Sequence, residues 1–278
     1  MATTKPQGID HWYAGSGKKF ALASVEPGAT PGAPGEGDAE RAATEKATKK
    51  LRERLRELQD RLHAEGSRSV LLVLQAMDTG GKDGTVKSVF SGVNPVAVDV
   101  HSFGLPSEEE RAHDFLWRIH QRLPADGRVG IFNRSHYEDV LAVRVRNIAP
   151  QAVWEPRFDI INDFERGIVA SGTLVIKVML HISKDEQRER LQARIDRPDK
   201  RWKFRMGDLE DRALWDKYQA AYEDTIQRTN TDIAPWLVVP ADKKWYRDWA
   251  VLTIMVAHLE AMDPRYPEHP ELEGTVIP

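Results

Sequence analysis

Between Asp78 and Thr85 the chain reads DTGGKDGT, placing two carboxylates, three glycines and one lysine within eight residues. Glycines beside a lysine, between an apolar run and a helix-prone stretch, are what a phosphate-binding loop requires. Bare backbone amides and the positive end of a helix favour an anion there, and the lysine reaches a phosphoryl oxygen. The pattern G-x-x-x-x-G-K-[ST] can be set on Gly81-Lys82. Ala76 then stands at the first glycine and Asp83 at the Ser/Thr, so two of its four fixed positions differ, although Gly84-Thr85 follows at once. The plain alternative is a glycine-rich turn with a solvated lysine.

Asp78 and Asp83 repel phosphate unless a cation stands between. Mg²⁺ reverses the sign, because it takes one or two carboxylate oxygens and completes its shell with phosphate and water; Mn²⁺ meets the same demand. Asp78 is therefore either a metal ligand or a base for an attacking hydroxyl. Asp83 either joins it or caps its helix.

A second constellation follows the apolar run GIF: Asn133, Arg134, Glu138 and Asp139 in GIFNRSHYEDV. Phosphate loops are paired with an acid at the end of a neighbouring strand. Here that position is Asn133, leaving Glu138 or Asp139 to supply the charge. Arg134 is suited to clamp phosphate bidentately, with a sheet-edge ion pair as the structural alternative. His136 and Tyr137 read as packing partners. Farther along, residues 188–205 hold eight Lys/Arg against three Asp/Glu in a chain of net charge −3. Arg190, Arg194 and Arg197 share a helical face, with an ordinary solvated face as the alternative for Arg188 and Arg190. Lys200, Arg201, Lys203 and Arg205 continue past Pro198. Such a run, lying where nucleotide kinases carry a closing lid, is relieved by a polyanion.

The elements that must position these groups alternate. Apolar strands are expected at Ser69–Ala76, Val96–Phe103, Arg128–Ser135, Thr173–Ser183 and Trp236–Asp242. Helices are expected at Thr44–Gly66, from Asp83, at Ser107–Leu123, Glu155–Ser171, Ser183–Arg197, Leu209–Thr229 and through Met262. Ser107/Glu110 and Ser183/Glu186 each form a capping-box pattern. Leu51, Leu55, Leu58 and Leu62 make one apolar stripe, for self-packing or for a dimer. Continuously apolar strands alternating with helices imply an α/β fold, a parallel sheet covered on both faces. The Gly/Pro-rich Ser24–Glu40 is either an ordered arm or a flexible leader. The expected organisation is an arm, partly irregular, over 1–43 and a single domain over 44–278 with a lid at about 188–209. Composition (41% hydrophobic, 30% charged, no cysteine) suits a soluble cytoplasmic protein without disulfides or thiolate chemistry. There is no basic footprint for nucleic acid and no apolar run of membrane length.

Taken together and in order, MDTGGKDGT, NRSHYEDV and RIDRPDKRWKFRMGD resemble the family-2 polyphosphate kinases. The resemblance implies a P-loop kinase-like αβα sandwich with a lid, Mg²⁺, and phosphoryl transfer between inorganic polyphosphate and a nucleotide. It matches Asp78, Lys82 and Arg134 to the family's loop aspartate, loop lysine and following arginine, and Arg194, Lys200 and Lys203 to its lid cations. The loop glycines Gly80, Gly81 and Gly84 would cradle phosphate, with Asp83, Thr85, Lys87, Asn133 and Arg144 as further contacts. Other branches carry Asp-Arg-Ser and an Asn four residues after the Arg. Asn133 and Glu138 in those places resemble the branch that accepts nucleoside mono- and diphosphates: AMP and ADP, with GDP a further candidate. That departure withdraws a metal role from Asn133 and adds Glu138 to Asp78 as a metal ligand and catalytic carboxylate. A reversible reaction and an oligomer of identical chains are further expectations. The alternatives are an ATP-dependent nucleotide kinase with a degenerate loop, and a non-catalytic nucleotide- or polyanion-binding protein.

Overall fold

The computed structural model describes residues 6–15 and 20–277. Residues 1–5 and 16–19 of the expected arm, and the final proline, lie outside the described residues. Five strands, β1 (Ser69–Ala76), β2 (Val98–Ser102), β3 (Val129–Asn133), β4 (Thr173–His181) and β5 (Trp236–Pro240), form one sheet in the order β2-β3-β1-β4-β5. Every neighbouring pair is parallel. β1 lies in the middle and all eight of its residues are buried, which is why its sequence is apolar without alternation. Its register, Leu74 opposite Asn133 and Ala76 opposite Leu180, brings the carboxyl ends of β1, β3 and β4 to one edge. That edge is where open α/β sheets bind ligands.

Helices flank the sheet in a three-layer α/β sandwich. They are α1 (Glu40–Glu65), α2 (Lys82–Val89), α3 (Glu108–Arg111), α4 (Trp117–His120), α5 (Ala142–Val145), α6 (Gln151–Trp154), α7 (Arg157–Ala170), α8 (Lys184–Asp196), α9 (Gly207–Ala213), α10 (Trp215–Thr229) and α11 (Lys244–Met262). α1 packs on α11, which also reaches α2 and the β4 and β5 strands, while α7 packs on β4 and α10. Leu55, Leu58 and Leu62 are buried in the common core and Leu51 packs against it. The leucine stripe is thus spent inside the fold and offers no face to a second copy. α1 closes at Gly66, whose left-handed backbone (φ 64°) lets its N–H reach the Leu62 carbonyl at 3.2 Å.

The arm is laid against this body. Trp12 is buried and its indole N–H donates to the Tyr246 hydroxyl at 2.8 Å, which donates in turn to the Pro31 carbonyl at 2.7 Å. Tyr13 forms an antiparallel bridge with Leu237 beside β5. Ser24–Glu40 is accordingly an ordered segment, and α1 starts four residues before the sequence expectation.

Three helix expectations need correction. Ser107–Leu123 is two short helices, α3 and α4, because the Asp114 carboxylate takes the Leu116 N–H at 2.9 Å and turns the chain. Leu209–Thr229 divides at Leu214 into α9 and α10. The Ser107 capping box is complete, but at Ser183 only the hydroxyl half forms. Glu186 there binds Arg190 (2.6 Å) and the Ser183 N–H binds Asp242 (2.8 Å) instead.

Candidate active site

The chain leaves β1 at Ala76 and must turn into α2 at Lys82 within five residues. It does so through left-handed backbone at Thr79 (φ 64°) and Gly81 (φ 104°). A side chain at Gly80 would stand 2.5 Å from the Ala76 Cβ, so only hydrogen fits that turn. Gly81 caps α2 and Gly84 lies one turn on, both against the buried guanidinium of Arg247.

Lys82 is buried and folds back on the loop, its Nζ donating to the carbonyls of Ala76 (2.8 Å) and Met77 (3.4 Å). Burial, seconded by nearby Arg134, brings the ammonium down to about 8 against the opposing pull of Asp78, Glu138 and Asp83. Arg134 leaves the end of β3 with its own backbone left-handed (φ 63°) and donates to Asp78 Oδ1 at 2.7 Å. A non-glycine residue held in that conformation at a site is strain retained for placement. Burial alone would raise Asp78, but Lys82 and Arg134 outweigh it and hold the carboxyl below its usual range. Glu138 goes the other way: burial pushes it up, over the resistance of Arg134 and Lys82. With its amide oriented to satisfy both neighbours, Gln75 spans Ser135 and Glu138 Oε1 (3.1 Å). Two carboxylates beside the same two cations are driven apart in acidity, which separates their roles.

Asp83 does not cap α2. It accepts the Asn133 amide at 2.6 Å, tying β3 to the loop, and stands 3.9 Å from the Lys203 ammonium. Thr85 is fully buried, its hydroxyl without a hydrogen bond among the described residues, and presents no surface to a phosphate. Lys87 is exposed farther along α2, about 140° around the helix from Lys82. Arg144 is used structurally, paired with Asp224 at 2.5 Å and lying over the Trp154 ring. The structure thus places Thr85 inside the core and Arg144 in an ion pair with Asp224.

In the segment expected to form a lid, Arg194 binds the Lys203 carbonyl and Asp208 Oδ2, both at 3.3 Å, and braces the segment on itself. Lys203 sits over the Trp202 ring. Lys200 joins Lys244, on the first turn of α11, in one positive patch: burial and then Arg190 and Lys200 lower the Lys244 ammonium.

Several site residues were invisible to spacing. Arg190 is buried, not solvated, and binds Glu186 and three backbone carbonyls. Asp211, held by Arg146 (2.8 Å) and the Tyr218 hydroxyl (2.9 Å), reaches the Asp78 carboxyl from α9. Tyr222 on α10 faces Glu138 and Asp78. The signals available were faint: an Asp-x-x-Asp pair at one helical face (Asp208, Asp211) and an arginine one turn into the helix after the fifth strand.

Among the described residues no three His, Asp or Glu side chains converge as a metal cage. Asp78 and Glu138, sharing Lys82 and Arg134, instead offer two hard oxygen donors beside a phosphate loop. That donor set fits a divalent ion whose remaining ligands are phosphate and water. The arrangement can bind adjacent phosphoryl groups and neutralise charge between them. Among the described residues no helix is long and apolar enough to cross a membrane.

The acidity of Lys82 makes one outcome measurable. In the free protein the ammonium is charged below about 8 and neutral above it. The kcat/KM for a polyanionic substrate is therefore expected to fall as pH rises through about 8. In Lys82→Arg that limb should vanish; a limb that persists there belongs to another group.

Comparison with known proteins gives a consistent picture. The polyphosphate kinase 2 family model matches residues 38–267. An AMP/ADP-polyphosphate phosphotransferase of Meiothermus ruber is 60% identical over 211 residues, covering 76% of this chain and 79% of that one. An ADP-polyphosphate phosphotransferase of Rhodopseudomonas palustris is 45% identical over 223 residues, covering 76% and 77%. The crystal structure of polyphosphate kinase 2 from Arthrobacter aurescens superposes with a TM-score of 0.90 at 44% identity, covering 97% of this chain and 95% of that one.

Proposed function

Because the chain belongs to the polyphosphate kinase 2 family, we propose that its loop, arginine and lid carry out the transfer of the terminal phosphoryl group of inorganic polyphosphate to ADP and AMP, giving ATP and ADP. The enzyme is a polyphosphate kinase. The observation that carries the residue assignment is the cluster in which Lys82, Arg134, Asp78 and Glu138 meet at the carboxyl edge of β1 and β3.

The reaction joins a terminal phosphate oxygen of the nucleotide to the end phosphorus of the chain. The bridging P–O bond breaks, and polyphosphate leaves one unit shorter with the electron pair on its new terminal oxygen. Such a transfer needs alignment and charge neutralisation far more than covalent help. Lys82 exchanges its loop carbonyls for an oxygen of the moving phosphoryl group. Arg134 places its guanidinium against the same group, and Lys203 approaches from the lid. Asp78, kept ionised beside Lys82 and Arg134, serves to hold and orient, and Glu138 stands with it as the second carboxylate beside the acceptor. Mg²⁺, held by Asp78 and Glu138, would supply neutralisation of phosphate charge during transfer. Running in reverse, the same groups would extend polyphosphate from ATP.

The test is a donor–acceptor matrix: polyphosphate or ATP as donor, against AMP, ADP and GDP. ATP should appear from ADP plus polyphosphate with no other triphosphate present. Phosphorylation of AMP by ATP alone, with polyphosphate inert, would instead favour an ordinary nucleotide kinase.

A further inference from the structure

The loop that cradles phosphate is held from outside by α8. Gln187 donates to the Asp78 carbonyl at 3.2 Å and Arg190 Nη1 donates to the Thr79 carbonyl at 3.0 Å. Arg190 Nη2 binds the carbonyls of Ala241 (2.7 Å) and Asp242 (2.9 Å) beyond β5, and its Nε binds Glu186 at 2.6 Å. Gln187 is fully buried and is itself oriented by Arg212, which donates to its Oε1 at 3.0 Å. One guanidinium thus bolts the loop to the segment entering α11.

These contacts fall on the peptides that determine the cradle. A trans peptide is planar, so its carbonyl and its N–H point in opposite directions. Fixing the Asp78 carbonyl toward α8 turns the Thr79 N–H away from α8. Fixing the Thr79 carbonyl sets the next peptide, whose Gly80 N–H closes the turn on the Met77 carbonyl at 2.9 Å. Within the loop Thr79 is the non-glycine residue held in left-handed backbone, and so the one most in need of outside restraint. α8 continues from Arg190 by one turn to Arg194, which braces the lid through Asp208.

We propose that Gln187 and Arg190 are positioning residues for phosphoryl transfer, latching the root of the lid to the phosphate loop so that the strained turn at Thr79 stays in register with Asp78 and Lys82. The proposal rests on the phosphotransfer reading above. Neither side chain is required to touch substrate. A lysine at position 190 keeps the charge but lacks the fixed fork that spans three carbonyls.

The experiment compares wild type with Arg190→Lys, Arg190→Ala and Gln187→Leu. In Arg190→Lys the kcat with ADP and polyphosphate should fall by about 10²-fold, as for a small misplacement of reacting groups, while the KM for ADP changes less than about threefold. Added guanidinium ion should restore part of the turnover of Arg190→Ala. Amide hydrogen exchange over Thr79–Gly81 should quicken in all three variants, with circular dichroism unchanged. Retention of kcat in Arg190→Lys, an unaltered exchange rate at the loop, or losses that track only the unfolded fraction would overturn the latch. A wild-type enzyme without polyphosphate-driven turnover would overturn the functional reading instead, and loop exchange would still decide the latch.

Discussion

Lys82→Met is expected to lose turnover of polyphosphate with ADP by about 10²–10³-fold, the usual cost of removing one donor to a charged transition state, while its melting temperature stays level or rises. The two halves have separate causes. Met retains the buried stem but cannot follow the transferred phosphoryl group. The ammonium it replaces is held at about 8 in the fold by burial and by Arg134. A lysine whose folded value lies below its unfolded value destabilises the fold at every pH below both. At pH 7 the full penalty is present, on the order of 3 kcal/mol. Against this stands the loss of two hydrogen bonds to loop carbonyls, about 1 kcal/mol each. Calorimetry and steady-state kinetics on one preparation decide it. A melting temperature that collapses together with activity would make Lys82 a structural residue.

Arg134→Gly is expected to cost on the order of 10³-fold in turnover, comparable to removing an arginine that stabilises a transferring phosphoryl group. Arg134 adopts φ 63°, a conformation about 1–2 kcal/mol unfavourable for a side-chain-bearing residue and free for glycine. The variant therefore relieves strain while it deletes the guanidinium and leaves Asp78 with Lys82 as its main counter-charge. Folding should be preserved and catalysis lost, and Arg134→Lys should fall between, since a point charge lacks the bidentate fork. Turnover above a tenth of wild type in Arg134→Gly would remove Arg134 from the catalytic machinery.

The layered architecture was legible because it rests on repeated local signals. β1 and β4 are mostly apolar and do not alternate, since both faces of a central parallel strand are covered, and long helices such as α7 show regular apolar spacing. Lys82 and Arg134 were legible for a related reason, as both follow directly from strands whose ends define the site edge. Arg190 was not: a guanidinium in a charged helix looks solvated until the loop it grips is in place. Asp211 was equally hidden, being carried to Asp78 by a helix whose position no local pattern fixes. Arg144, which the family resemblance offered as a further phosphate contact, is paired with Asp224, 80 residues on, and lies over the nearby Trp154 ring. Contacts between remote segments decide these cases, and they depend on the whole topology.

The pairing of the leucine stripe of α1 with α11 has a consequence for biosynthesis. Leu55, Leu58 and Leu62 emerge from the ribosome early, whereas the helix that covers them, Lys244–Met262, is among the last segments made. At ordinary translation rates the nascent polypeptide carries that uncovered ridge for about 10–40 s. A chain cut short before α11 would leave this ridge uncovered and is expected to aggregate rather than fold to a smaller enzyme.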